Sequence, residues 1–210
     1  MQYKDRRDAG RRLAGALEAW RGRSDVLVLA LPRGGVPVAW EVAQALGTPL
    51  DVLVVRKLGF PGQEEFAMGA IASGGIRVMS EAQGAWPVSE QQIEAVVARE
   101  QAELARREQR YRAGRPPLEM AGRVLILVDD GLATGATMSA AVKAARAASP
   151  ERIVVAVPVA SVEAVQSVGA LADEVVCPCT PEHFRAVGRW YADFAQTSDE
   201  EVERLLSGSG

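Results

Sequence analysis

Apolar residues recur along the chain in two alternating spacings. Between positions 5 and 20, Ala9, Leu13, Ala16, Leu17 and Trp20 fall at helical intervals, which predicts an amphipathic helix. Residues 25–31 (DVLVLAL) are almost continuously apolar, the pattern of a strand buried on both faces of a parallel sheet. The alternation then repeats. A helix is expected over 36–46, closed by Gly47, and a second buried strand over 50–55. Further strands are expected over 123–128, 153–160 and 173–176, with helices over 136–148 and 162–168 between them. Residues 58–65 (LGFPGQEE) carry two glycines and a proline and read as a mobile loop; 66–72 and 76–80 read as a hairpin around Gly74 and Gly75. Ser89 opens a long charged helix through Arg112, with Gln92 completing a capping box, and Ser198 with Glu201 caps a last short one.

Strands that alternate with helices imply an α/β chain built on a parallel sheet with right-handed crossovers and flanking helices. In such sheets the ligand lies beyond the carboxyl ends of the strands. The places to look are therefore the segments after Leu31, Val55, Val128, Ala160 and Val176.

Composition narrows the function classes. The 210 residues, 48% hydrophobic and 24% charged, suit one domain over 1–210 that needs no disulfide to hold a core. A net charge of −3 offers no global attraction for nucleic acid or an anionic membrane. The longest apolar runs fall far short of the roughly 20 residues of a membrane span, and Lys4, Asp5, Arg6 and Arg7 begin no secretory signal. Cys177 and Cys179 would point to opposite faces of an extended segment, which argues against a mutual disulfide. A reduced, cytoplasmic protein is expected, with 207–210 frayed.

The richest segment is 124–137, VLILVDDGLATGAT. A buried strand ends in two carboxylates, and a short Gly/Thr loop leads into a helix. Backbone N–H groups of such a loop at a helix amino terminus form a nest for phosphate, and Thr134 and Thr137 add hydroxyl donors. Asp129 and Asp130 would repel that same phosphate, so they need another partner. Vicinal sugar hydroxyls donate to carboxylates, at roughly 1.5–3 kcal/mol for each charge-assisted bond. A ribose 5-phosphate presents both groups at once. The segment is neither a P-loop nor a G-x-G-x-x-G dinucleotide fingerprint. A signalling receiver domain also ends a strand in two acids, but at its first strand and with an acceptor Asp on a later one, which this chain lacks.

This segment resembles the phosphoribosyl-diphosphate (PRPP) binding motif of the type I phosphoribosyltransferases, and the resemblance extends from about residue 5 to 195. It implies a Rossmann-like core with a flexible loop hairpin at about 57–80 and a small carboxyl-terminal hood at about 178–195. It implies that Asp129 and Asp130 bind the ribose hydroxyls, and that Ala133, Thr134, Gly135, Ala136 and Thr137 hold the 5-phosphate. After the first strand, Arg33, Gly34 and Gly35 match the family's pyrophosphate loop, which often contains a cis non-proline peptide; a strain-relieving turn is the plainer reading. Arg56 and Lys57 match the basic pair at the base of the catalytic loop, with Gly59 and Gly62 as hinges of a solvent-excluding lid; a solvated charged turn is the alternative.

In the hood, Phe184, Trp190 or Tyr191 would stack on a planar base or else pack the hood's own core. His183, the sole histidine, has no assigned role. The resemblance implies transfer of phosphoribosyl from PRPP to a small nitrogenous acceptor, with Mg2+ bound mainly through PRPP and water and no protein metal cage. Ala133 stands where members acting on 6-oxopurines carry a carboxylate, which disfavours hypoxanthine and guanine. The helix over 89–112, with Ile93, Val96, Val97 and Leu104 on one side and balanced charges elsewhere, fits a surface or homodimer helix. A non-catalytic PRPP or nucleotide sensor is the competing function for the same pocket.

Overall fold

The computed structural model describes residues 2–80 and 88–208; part of the carboxyl-terminal stretch expected to fray lies outside them. At its centre, β1 (Val26–Ala30) and β6 (Val124–Val128) are buried along their whole length and pair in parallel from Val26↔Val124 to Ala30↔Val128. Alternation of side chains splits these strands between two cores. Val26, Val28 and Ala30 pack on one side with α2 (Gly35–Leu46), while Leu27 and Leu29 pack on the other with α4 (Ala136–Ala147). Three further parallel strands, β2 (Leu50–Val52), β7 (Arg152–Ala156) and β8 (Glu174–Val176), complete a five-stranded sheet of order β2-β1-β6-β7-β8. Helices α1 (Arg6–Ala16) and α5 (Val162–Gly169) cover its opposite faces.

The expected strand over 50–55 breaks after Val52. Leu53 still donates to the Ala30 carbonyl, but Val54 turns away and is clamped by the fully buried Ser73, which bonds its N–H and its C=O at 3.0 and 2.9 Å. The apolar run conceals this break because Leu53 and Val54 are buried whether or not they are in the sheet.

The chain then forms a separate antiparallel sheet of β3 (Val55–Phe60), β4 (Gln63–Ala72) and β5 (Ile76–Met79). The open loop expected over 58–65 is instead the tip of this hairpin. Pro61 fixes one turn position and Gly62, at φ +75°, takes the other, while register shifts on either side of Gly59 absorb the bend.

Helix α3 (Glu90–Arg112) carries the expected Ser89/Gln92 capping box. Its apolar stripe is buried within the chain: Ile93, Val96, Val97 and Leu104 pack with Leu58, Phe60 and Met68 of the hairpin. Its carboxyl end is tied to β2, where Arg112 donates to both oxygens of Asp51 at 3.0 and 3.2 Å with both side chains nearly buried. Among the described residues no helix is long and apolar enough to cross a membrane.

Removing one partner of a buried ion pair leaves an uncompensated charge. Asp51→Ala is expected to lower stability by about 3 kcal/mol, read as a lower urea midpoint at unchanged slope.

Candidate active site

Strand order runs outward in both directions from the β1–β6 pair, so the crevice beyond their carboxyl ends is the switch point of the sheet. Two loops meet there at a separation only glycine permits. A Cβ on Gly34 would lie 2.2 Å from Asp130 Oδ2, and one on Gly35 would lie 2.6 Å from the Val128 carbonyl oxygen. The peptide bond between Pro32 and Arg33 is cis, as the family resemblance implied.

The acid pair is held from several directions. Asp129 Oδ1 accepts from the Asp130 N–H at 2.8 Å, and Asp130 Oδ2 accepts from Arg6 Nε at 2.8 Å. These bonds engage one oxygen of each carboxylate and leave Asp129 Oδ2 and Asp130 Oδ1 to accept from a ligand. Burial, reinforced by the Asp130 charge, pushes Asp129 well above the usual carboxylate range. Burial also raises Asp130, against the opposing Arg6 guanidinium. Two desolvated carboxyls with spare acceptor capacity suit a ligand bearing paired hydroxyl donors.

Arg6 was invisible as a site residue in sequence, where it reads as one more charge near the amino terminus. In the fold it also donates to the Ala195 carbonyl at 2.6 Å and lies 3.9 Å from the Phe194 ring centroid. It thereby joins α1, the acid pair and the hood.

The loop that follows the acid pair is fastened from behind. Leu132 donates to Val159 O and accepts from Ser161 N, both at 3.0 Å, and Ser161 Oγ donates to Ala133 O at 2.8 Å while capping α5. Gly135, at φ +74°, turns the chain into α4. Ala133, Thr134, Ala136 and Thr137 face outward, where the first-turn amides of α4 lack intrahelical partners. Ser161 has a sequence signal as a helix cap but none as a buttress of the loop.

The basic residues separate. Arg56 and Lys57 line a cleft of about 460 Å³ together with Pro32 and Thr137, so β3 meets the segments that follow β1 and β6. Arg56 is held by Glu100 of α3 through contacts of 2.6 and 2.8 Å. Arg33 is not brought into that lining; its guanidinium lies 3.6 Å from Asp199 at the start of α6 (Asp199–Ser207).

The hood aromatics mostly build their own core. Tyr191 is 4% exposed, tilted against Tyr3 and Phe194, and donates its hydroxyl to the Asp130 carbonyl at 2.6 Å. A ring so enclosed takes the second of its two expected readings: it packs the hood's own core and anchors the hood to the acid pair. Phe184 and Trp190 pack against the same cluster but keep part of their surface. His183 is exposed, and Cys177 and Cys179 are both free thiols.

A carboxyl whose folded pKa is raised binds protons more readily in the folded chain than in the unfolded one. Its contribution to stability is therefore lost as pH rises from about 4 through the folded value, and stays lost above it. Asn at this position keeps the oxygen that accepts from Asp130 and removes the charge. Asp129→Asn is expected to melt above the wild type at pH 7, with the gap closing towards pH 4, in thermal scans of the ligand-free protein.

Similarity to known proteins agrees with this geometry. The family model described as the phosphoribosyl transferase domain matches residues 2–191. A Mycobacterium tuberculosis protein, named provisionally as a phosphoribosyl transferase, is 48% identical over 206 residues, which is 97% of this chain and 46% of that protein. The chain thus spans about half the length of the curated relatives it matches. The crystal structure of TT1426 from Thermus thermophilus superposes with a TM-score of 0.92 at 47% identity, covering 100% of both chains. AQ2163 from Aquifex aeolicus shares the fold at a TM-score of 0.53 and 14% identity, over 97% of this chain and 86% of that one. With the family model covering nearly all of the sheet, the acid pair and the loop that follows it, this chain belongs to the phosphoribosyl transferase domain family.

Proposed function

We propose that this protein transfers the 5-phosphoribosyl group of PRPP to a nitrogenous acceptor and releases pyrophosphate. The observation that carries the reading is the meeting of Asp129 and Asp130 with the Gly34–Gly35 segment and the Thr134–Thr137 loop at the sheet's switch point. In this reading Asp129 and Asp130 accept from the ribose hydroxyls. Residues Ala133, Thr134, Gly135, Ala136 and Thr137 hold the 5-phosphate. The Arg33–Gly35 segment, Arg56 and Lys57 receive the diphosphate.

The acceptor nitrogen bonds to the anomeric carbon as its bond to the diphosphate oxygen breaks. The electron pair leaves with the diphosphate, and the acceptor gives up its N–H proton. Positioning and charge stabilisation supply the rate, because the ring passes through an oxocarbenium-like state. Phe184 and Trp190, the hood rings with open surface, are the proposed cover for a planar acceptor. The β3–β4 hairpin tip is the proposed barrier against water.

Among the described residues no three His, Cys, Asp or Glu side chains converge as a metal cage. Mg2+ keeps several waters and binds through one or two carboxylates plus substrate phosphates, so the acid pair beside the cleft fits an ion carried in by PRPP. Such an ion would neutralise the leaving group.

A panel of nucleobases and small amines is to be incubated with Mg2+ and PRPP and read as pyrophosphate release with nucleotide detection. Nucleotide formed from one acceptor is the expected result. PRPP binding without any product would replace the reading with a sensor, and release without an acceptor would replace it with hydrolysis. Asp130→Asn should weaken PRPP binding by at least tenfold, on the order of 1.4 kcal/mol. Lys57→Ala should lower kcat more than it weakens PRPP binding.

A further inference from the structure

Helix α3 carries a carboxylate where packing alone calls for an apolar residue. Glu100 lies on the stripe of Ile93, Val96, Val97 and Leu104 and is only 8% exposed. Both of its oxygens are engaged by guanidinium groups: Arg56 reaches Oε2 at 2.6 and 2.8 Å, and Arg99 Nε reaches Oε1 at 3.1 Å. Arg107, two helical turns further on, lines the same cleft, with its own Nε on Glu103 at 2.8 Å. Three arginines, Arg56, Arg99 and Arg107, thus border a cleft whose lining, among the described residues, holds one carboxylate. The opposite wall is Thr137 and Ala140 of α4, at the phosphate loop, and Pro32 beside the cis peptide forms another part of the lining.

The imbalance of charge has a physical reading. A buried ion pair contributes little to stability compared with an apolar pair of similar shape, so packing does not explain Glu100. What the carboxylate does is neutralise Arg56 and hold its fork in place. A diphosphate brings more charge than a carboxylate and more acceptor oxygens for planar guanidinium forks. It is therefore a stronger partner for Arg56 than Glu100 is, and it suits the flanking arginines of the same helix as well.

We propose that α3 forms the outer wall of the diphosphate site, with Arg99 and Arg107 as further ligands of the leaving group and Glu100 as an internal counter-anion that bound diphosphate displaces from Arg56. Naming the anion a diphosphate rests on the transferase reading above. The cleft chemistry itself asks only for a compact polyanion.

The test uses the full chain and inorganic pyrophosphate, titrated calorimetrically with and without Mg2+, beside ribose 5-phosphate as a ligand that carries no diphosphate. Wild-type protein is expected to bind pyrophosphate. Arg99→Ala and Arg107→Ala should each weaken it by about tenfold, as expected for loss of one charge-assisted contact. Glu100→Gln, which keeps the shape and removes the charge, should tighten it several-fold, and all three variants should bind ribose 5-phosphate as the wild type does. Absence of pyrophosphate binding at millimolar concentration, unchanged affinity in the variants, or an equal loss of both ligands would overturn the proposal. Nucleotide formation that ignores α3 would refute it and leave the transferase reading intact. Pyrophosphate binding that depends on α3, in a protein that makes no nucleotide from any acceptor, would do the reverse.

Discussion

The site depends on how closely two loops pass at the carboxyl ends of β1 and β6. The parallel pairing of those strands brings residues 31–35 and 128–131 together, and the absence of side chains on Gly34 and Gly35 lets them touch. Any Cβ at Gly34 would have to displace the carboxylate of Asp130 itself. The acidic pair, the turn into α2 and the cis peptide are thus one packed unit, and the ligand-facing geometry follows from backbone proximity before any side-chain chemistry acts.

Around that unit the protein arranges charges of opposite sign in separate places. Carboxyls sit at the switch point, where burial disfavours ionisation of both acids and Arg6 partly compensates Asp130. Cations gather along the edge of β3, where Glu100 compensates Arg56. A ligand with hydroxyls at one end and phosphates at the others relieves both imbalances. On the proposed reading, an activated phospho-sugar is the ligand that matches this division of charge.

Much of this was legible in the sequence because burial on both faces gives strands a continuous apolar signature. β1 and β6 follow from that signature alone, and the acids and glycines after them follow from chemistry. The antiparallel sheet was partly hidden: Leu53 and Val54 read as strand because they are buried, although the chain there is changing sheets. The 58–65 stretch read as an open loop because glycine and proline mark turns without revealing how far pairing continues on either side. Arg6, Ser161 and Glu100 could not be singled out, since each gains its role from a partner distant in sequence. Two left a partial trace: Ser161 as a helix cap, and Glu100 as a carboxylate at a helical interval between Val96 and Leu104. The two readings of Tyr191 could not be separated in sequence, because an aromatic residue in a hood looks the same whether its ring faces a ligand or its own core.

The seam between the amino-terminal segment and the hood has a consequence for how the molecule acquires its site. Tyr3 exchanges backbone hydrogen bonds with Trp190 and Ala192, and Arg6 reaches Ala195 across 189 positions of chain. Contacts of such long range carry a large loop-closure entropy and favour late formation. During synthesis the central sheet can condense while residues 3–6 still wait for residues 190–195. Asp129 and Asp130, tied to Arg6 and through Tyr191 to the hood, would then be fixed only after residue 195 has emerged.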